Sequence, residues 1–260
     1  MMLKTEIHDQ GCATVTLNRP DVHNAFDEEL IAELKDKFSK LAVNREVRLI
    51  VIAATGTSFC AGADLNWMKR MSSNSYDKNL ADGKALAEML HTIATCPKPI
   101  IGKVQGPAYG GGVGIVSVCD IVIASENARF VFSEVKLGIT PATISPYVVA
   151  AIGERQTRRY FLSAEMFDAW KALQFGLVHQ VVPPEKLVST VDTLVDKMLQ
   201  NSPAAMAAAK ELVRNVAKKK IDYDLLEDTA KRIADIRATA EGKEGIKAFL
   251  EKRKPSWIYK

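Results

Sequence analysis

Residues Gly106–Asp120 read GPAYGGGVGIVSVCD, which places four glycines among the five positions Gly110 to Gly114, directly before an apolar run. Glycine in or beside regular structure costs roughly 0.5–1 kcal/mol relative to alanine, so the cluster marks a place where something must come close to the backbone. A phosphate, a tight packing contact and a reacting oxygen are the candidates. The phosphate reading fails on spacing. With Gly110 and Gly112 as the first glycines of a G-x-G-x-x-G fingerprint, Ile115 falls at the third, no acidic residue lies at the usual distance, and no GK[ST] follows. Glycines at a strand-to-helix junction can instead leave N–H groups free at a helix N-terminus, where the helix dipole favours negative charge. Such donors form an oxyanion hole when a second N–H converges on the same point.

The chain offers a second turn of this kind. GTSFCAGADLNWM, Gly56 to Met68, ends the apolar stretch LIVIAAT and carries Ala61-Gly62-Ala63 before a helix start. Two small-residue turns at two strand ends can face one another; equally, both can be plain tight turns, and spacing does not choose between these. A third stretch, FVFSEVKLGITP, sets Glu134 behind an apolar alternation. A carboxylate among apolar groups has its pKa raised and can exchange a proton near neutral pH. Taken alone, a glutamate on a strand reads as a surface residue.

Around these stretches the pattern alternates. LKTEIHD and ATVTLNR predict a hairpin, and RPDVHNAF a turn that Asn24 helps to end. From Asp27 onward, Leu30, Ile31, Leu34, Phe38 and Leu41 have helical spacing with acidic residues in the first turn. VRLIVIAAT and PIIGKVQG read as strands and SYDKNLADGKALAEMLHTIATC as a helix. GGVGIVSVCD is helical or extended, and IVIASENARFVF is strand, turn and strand. Alternation of this kind predicts an α/β fold with a mainly parallel sheet covered by helices. Residues 147–260 are nearly all helical in period, with only VHQVV extended.

Composition bounds the function classes. The 260 residues are 47% hydrophobic, 25% charged and 7% aromatic, the profile of a folded enzyme-sized chain rather than a disordered one. The net charge of +4 is too small to argue for nucleic acid and suits an anionic small molecule. Cys12, Cys60, Cys96 and Cys119 show no CxxC pair and no nearby histidine, and read as core thiols. His8, His23, His91 and His179 have no convergent spacing. The opening residues lack the basic and apolar segments of a secretory leader, and no apolar run approaches 18 residues, which leads to the expectation of a reduced, cytoplasmic setting without a membrane span.

RPDVHNAF, FCAGADL, GPAYGGGVGIVSVCD and FVFSEVKLGITP, in this order, resemble the crotonase, or enoyl-CoA hydratase/isomerase, superfamily, and with KALQFGLVHQVVP and EGIKAFLEKRKPSW the resemblance covers essentially the whole chain. It implies a ββα spiral core over residues 1–195, carrying the acyl-CoA site, and a helical C-terminal region over 196–260 that serves oligomerisation, as a homotrimer or dimer of trimers, and completes the CoA site. It implies an oxyanion hole formed by the N–H groups of Ala63 and Gly111, Glu134 as the catalytic acid/base, and CoA contacts at Asn24, Ala25, Phe26 and Ala61, with Phe249 and Lys252 from a neighbouring subunit. No metal, flavin or nicotinamide is implied; CoA enters as part of the substrate.

The resemblance departs at one position. Two-glutamate hydratases of the family carry a first glutamate two residues after the GGG, where this chain has Gly114; only the second, Glu134, is present. Isomerisation, decarboxylation of a glutaconyl-CoA and one-carboxylate hydration are all open to such a site. A closer similarity, through AGADLNWMKRM, SEVKLGITPATISPYVVAAIGER and NSPAAMAAAKEL, is to bacterial methylglutaconyl-CoA hydratases of leucine catabolism. Their substrate has a second carboxylate, for which Lys69, Arg70 and Lys136 are the nearest cations in sequence, although each taken alone is an ordinary exposed base. A non-catalytic acyl-CoA or RNA-binding protein is a further alternative, but the chain lacks a dense basic helix with interleaved aromatics.

Overall fold

Leu49, Ile50, Val51 and Ile52 are all buried, and their alternation divides them between two cores: Ile50 and Ile52 enter the larger cluster, Leu49 and Val51 a smaller one on the opposite face. A strand apolar on both faces belongs inside a covered parallel sheet. The computed structural model describes residues 2–258 and has that arrangement. Strands β1 (Leu3–Ile7), β2 (Cys12–Leu17), β3 (Leu49–Ala54), β4 (Ile100–Val104), β6 (Ile121–Ser125) and β9 (Gln180–Val182) form one sheet in the order β1-β2-β3-β4-β6-β9. It is parallel except for the β1–β2 hairpin at its edge. A second, shorter sheet pairs β5 (Ala108–Tyr109), β7 (Arg129–Val131) and β8 (Phe167–Asp168).

Single bridges, Phe26 to Ala63 and Cys60 to Ala108, extend the second layer toward the start of the chain. The chain therefore winds repeatedly through the same three steps: a strand in the large sheet, a short pairing segment in the second layer, then a helix. Phe26 precedes α1 (Glu28–Val43); Cys60 and Ala63 precede α2 (Leu65–Met71) and α3 (Tyr76–Thr95); β5 precedes α4 (Gly111–Val118); β7 precedes α5 (Ser145–Ser163). This is the expected ββα spiral. The segment IVIASENARFVF does form two strands, but β6 and β7 lie in different sheets, because the turn between them carries the chain from one layer to the other.

Helix α6 (Ala169–Phe175) leads to β9, and α7 (Leu187–Leu199) places Leu187, Val191, Val195 and Leu199 against the second face of the large sheet. The division expected between residues 195 and 196 thus falls inside α7, since Leu199 packs in the same cluster as Val195. The character changes one helix later. Helices α8 (Pro203–Val216) and α9 (Tyr223–Ala238) bury no residue, and α10 (Ala240–Leu250) buries only Ala248. Two long connections tie this end to the core: Lys210 of α8 donates to Asp120 Oδ2 at 2.7 Å and to the Lys98 carbonyl at 3.2 Å, and buried Arg48, just before β3, donates Nη2 to the carbonyls of Leu199 and Asn201 at 2.8 and 2.9 Å and Nη1 to that of Trp257 at 3.1 Å.

Candidate active site

The glycine cluster is the entrance to α4. Gly110 has φ +48° and ψ −118°, a conformation that disfavours L side chains, and it turns the chain from β5 into the helix. The N–H of Gly110 is held by the Val131 carbonyl at 2.9 Å, while its own carbonyl takes the N–H of Val113 and of Gly114. The N–H of Gly111, at the first helical position, has no backbone acceptor among the described residues. Of the alternatives left by the sequence, GGVGIVSV is helical.

The second turn lies against the first. Gly62, at φ +88°, would carry a β-carbon 3.0 Å from the carbonyl oxygen of Tyr109. The N–H groups of Phe59 and Cys60 both reach the Pro107 carbonyl, and Tyr109 N–H reaches that of Cys60 at 2.9 Å. Phe26 pins the other side, donating to Gly62 O and accepting from Asp64 N, both at 2.7 Å. Its ring lies over Gly111, where a β-carbon would stand 2.6 Å from Cε2. Between these bonds the N–H of Ala63, like that of Gly111, has no backbone acceptor among the described residues. The two small-residue turns therefore do face one another, and each brings a free donor.

Glu134 completes the group. It begins a short 3-10 helix, Glu134–Leu137, rather than ending a strand. Its Oε1 lies 3.0 Å from where a β-carbon of Gly110 would be, so only a glycine leaves the carboxyl this close to the α4 entrance. Its Oε2 is buried without a hydrogen-bond partner among the described residues. Burial pushes the Glu134 carboxyl above the usual carboxylate range, with only a backbone hydrogen bond opposing. A buried carboxyl oxygen with nothing to bond is costly for stability and is suited to proton exchange with a ligand.

The position of the absent glutamate is filled. A β-carbon on Gly114 would overlap Cγ2 of Ile144, stand 3.1 Å from its Cβ and 3.6 Å from Cδ2 of Leu90. Neither Ile144 nor the cluster that positions the Ala63 turn was apparent from the sequence. In that cluster Arg19 pairs with Asp27 at 2.7 Å and with Asp64 at 3.4 Å, and donates Nη1 to the Ala25 carbonyl. Asp64 also caps α2, accepting from the N–H of Asn66 and Trp67. The available signal was an aspartate immediately before a helical run.

The other expected residues are distributed as follows. Asn24 is fully buried; its Oδ1 accepts from Arg19 N, and its Nδ2 donates to the carbonyls of Thr55 and Ser58. Its side chain therefore holds the loop together. The N–H groups of Asn24, Ala25 and Phe26 are also spent on the protein, and Ala61 N–H reaches the His23 carbonyl at 3.0 Å. Arg70 is engaged by Glu28, with Nη2 to Oε2 at 2.6 Å; Lys69 and Lys136 are exposed. Phe249 and Lys252 lie exposed in and just after α10. The cysteines are free thiols, with Cys60 pushed up to about 12 by burial. A separate cleft of about 850 Å³, lined by Asp120, His179, Lys210 and Arg214 among others, includes neither Glu134 nor the two donors.

Comparison with known proteins identifies the family. The profile of the enoyl-CoA hydratase/isomerase family matches residues 8–260. The chain is similar to a short-chain-enoyl-CoA hydratase of Clostridium acetobutylicum, at 33% identity over 93% of this chain and 92% of that protein. It is also similar to a 2,3-dehydroadipyl-CoA hydratase of Escherichia coli, at 32% identity over 95% of each. The crystal structure of an enoyl-CoA hydratase from Shewanella pealeana superposes with a TM-score of 0.96 at 42% identity, covering 99% of this chain and 96% of that one.

Proposed function

The chain belongs to the enoyl-CoA hydratase/isomerase family, a family of acyl-CoA enzymes that includes hydro-lyases, and from that premise we propose that it reversibly hydrates 3-methylglutaconyl-CoA to 3-hydroxy-3-methylglutaryl-CoA. The observation that carries the reaction type is the pairing of two unengaged N–H groups, Ala63 and Gly111, beside the unpartnered carboxyl of Glu134. The choice of acyl group rests on the sequence similarity to methylglutaconyl-CoA hydratases.

In this mechanism the thioester oxygen accepts both N–H groups. Glu134 takes a proton from water as the oxygen of that water bonds to C3. The C2–C3 π pair moves toward the thioester, giving an enolate whose charge falls on the two donors. The proton held by Glu134 then passes to C2, restoring the carboxylate. One donor of this kind is worth about 2.7–4 kcal/mol of transition-state stabilisation in other enzymes, because the charge meets dipoles already in place. No metal or redox cofactor takes part. CoA would contact the Asn24–Phe26 loop, Ala61 and, across an oligomer interface, Phe249 and Lys252. Arg70 would bind the distal carboxylate only by releasing Glu28, which favours Lys69 or Lys136 for that role.

The test is loss of the enoyl thioester absorbance on adding purified protein to 3-methylglutaconyl-CoA, with Glu134→Gln as control. We expect turnover by the native chain and a fall of about 10²–10⁴-fold in the variant, the range for loss of a general acid/base. Turnover unchanged in the variant would remove Glu134 from the mechanism. The single carboxylate also fits an isomerase or a glutaconyl-CoA decarboxylase. Product mass decides: hydration gains one water, isomerisation gains nothing, and decarboxylation loses carbon dioxide.

A further inference from the structure

Two carboxylates flank the pairing of Phe26 with Ala63. Asp27, the residue after Phe26, caps α1 by accepting from Leu30 N–H at 2.9 Å, and Asp64, the residue after Ala63, caps α2. Each cap is ordinary in itself. Together they put negative charge beside a donor whose proposed task is to receive negative charge. Arg19 is the cation that meets both, and neither carboxylate has another ion-pair partner among the described residues. The side chains of Arg19, Asp27 and Asp64 are only 18, 16 and 10% exposed, so salt screens them less than it does surface pairs. Burial pushes the Cys60 thiol up to about 12, while the Gly62 backbone and then the charge of Arg19 act in the opposite sense, so the field of Arg19 reaches the turn that ends at Ala63.

We infer that Arg19 is a positioning residue for the reaction, offsetting the Asp64 carboxylate one residue from Ala63 so that the Ala63 N–H can stabilise the charge developing on the thioester oxygen. The inference rests on the acyl-CoA reading above. A thioester oxygen bonded to Ala63 N–H lies about 2.9 Å from the nitrogen. A carboxylate without its counter-charge on the next residue repels that oxygen, and more strongly as the enolate forms, so the effect falls on the chemical step more than on binding. Arg19 also braces the loop, donating Nη1 to the Ala25 carbonyl at 2.6 Å. A brace and a counter-charge differ in what repairs their loss. Removing the charge of Asp64 repairs the second and leaves the first unrepaired.

The test compares Arg19→Gln, Asp64→Asn and their combination with the native chain; asparagine keeps the α2 cap while removing the charge. The probe is butyryl-CoA isotopically labelled at its thioester carbonyl, a saturated ligand whose infrared stretch moves to lower frequency as the oxyanion hole polarises it. We expect the band to lie higher in the Arg19→Gln complex than in the native one, lower in Asp64→Asn, and back at or below the native position in the double variant. With 3-methylglutaconyl-CoA, kcat should fall about tenfold in Arg19→Gln with KM little changed, within the roughly 10²–10³-fold that outright loss of an oxyanion-hole donor costs, and the double variant should recover most of it. Should Arg19→Gln not fold, Asp64→Asn alone decides, since it leaves the bonds of Arg19 to Ala25 and Asp27 in place. A native band position in Arg19→Gln or in Asp64→Asn, or a displaced band in Arg19→Gln that the double variant does not bring back, overturns the inference even if hydration is observed. A butyryl-CoA band unmoved by the native chain would instead overturn the acyl-CoA reading itself.

Discussion

The carboxyl of Glu134 is the residue whose properties depend most on its surroundings. Burial raises its pKa, so the folded chain holds this proton more tightly than the unfolded chain does. The sign follows: as pH rises through the raised value, the folded state loses stability relative to the unfolded state, and the deficit persists above it. Glu134→Gln, neutral and of the same shape, should therefore melt higher than the native chain near pH ~8, and the gap should close as pH falls toward the ordinary carboxylate range. Thermal unfolding of both proteins across that range measures this; a variant that melts lower at every pH would contradict it. The hydration rate should fall on the acid side with a midpoint above the ordinary carboxylate value, because the base must be ionised. The sequence marked Glu134 through its apolar neighbours. It could not mark Ile144, because nothing local says that a residue thirty positions beyond Gly114 occupies the space left by that glycine.

Among elements, the loops matter more than the regular structure. The strands and most helices were legible from apolar spacing: Leu30 through Leu41 form the buried face of α1, and VRLIVIAAT forms β3. The pairing of β7 with β5 rather than β6 was not, since it depends on which layer a turn leads to. Nor was the structural use of Asn24, whose Oδ1 holds Arg19 N–H within the loop after β2 while its two Nδ2 bonds join that loop to the loop after β3. Asn24→Ala should lower stability by about 1–3 kcal/mol, since it leaves Arg19 N–H and the Thr55 carbonyl buried without that partner. A shift in the urea midpoint with unchanged slope is the expected readout; a change under about 0.5 kcal/mol would show that water replaces the side chain without loss. Because this loop carries Phe26, which holds the Ala63 turn, turnover should fall as well.

The whole molecule presents a large uncovered surface at its C-terminal end. Phe249 is 82% exposed, Tyr223 85% and Ile221 81%, with Leu226, Ile233 and Leu250 also exposed. An apolar surface of this extent is suited to a second copy of the chain, which supports the trimer or dimer of trimers implied by the family. Light scattering is expected to give a trimer or hexamer mass, and Phe249→Asp a smaller species with weaker CoA binding; a native monomer would overturn this. The helical periodicity of this end was legible in the sequence, but its lack of cover was not, because α8 and α9 have apolar stripes like those of buried helices. The Arg48 connection has a consequence in time. Its guanidinium leaves the ribosome early, whereas Leu199, Asn201 and Trp257 follow 151, 153 and 209 residues later. Until then these three bonds cannot form, and the start of β3 lacks its tie to the helices that follow α7. A nascent chain stalled before Leu187 would lack these bonds and α7 as well, leaving the second face of its large sheet open to other polypeptides.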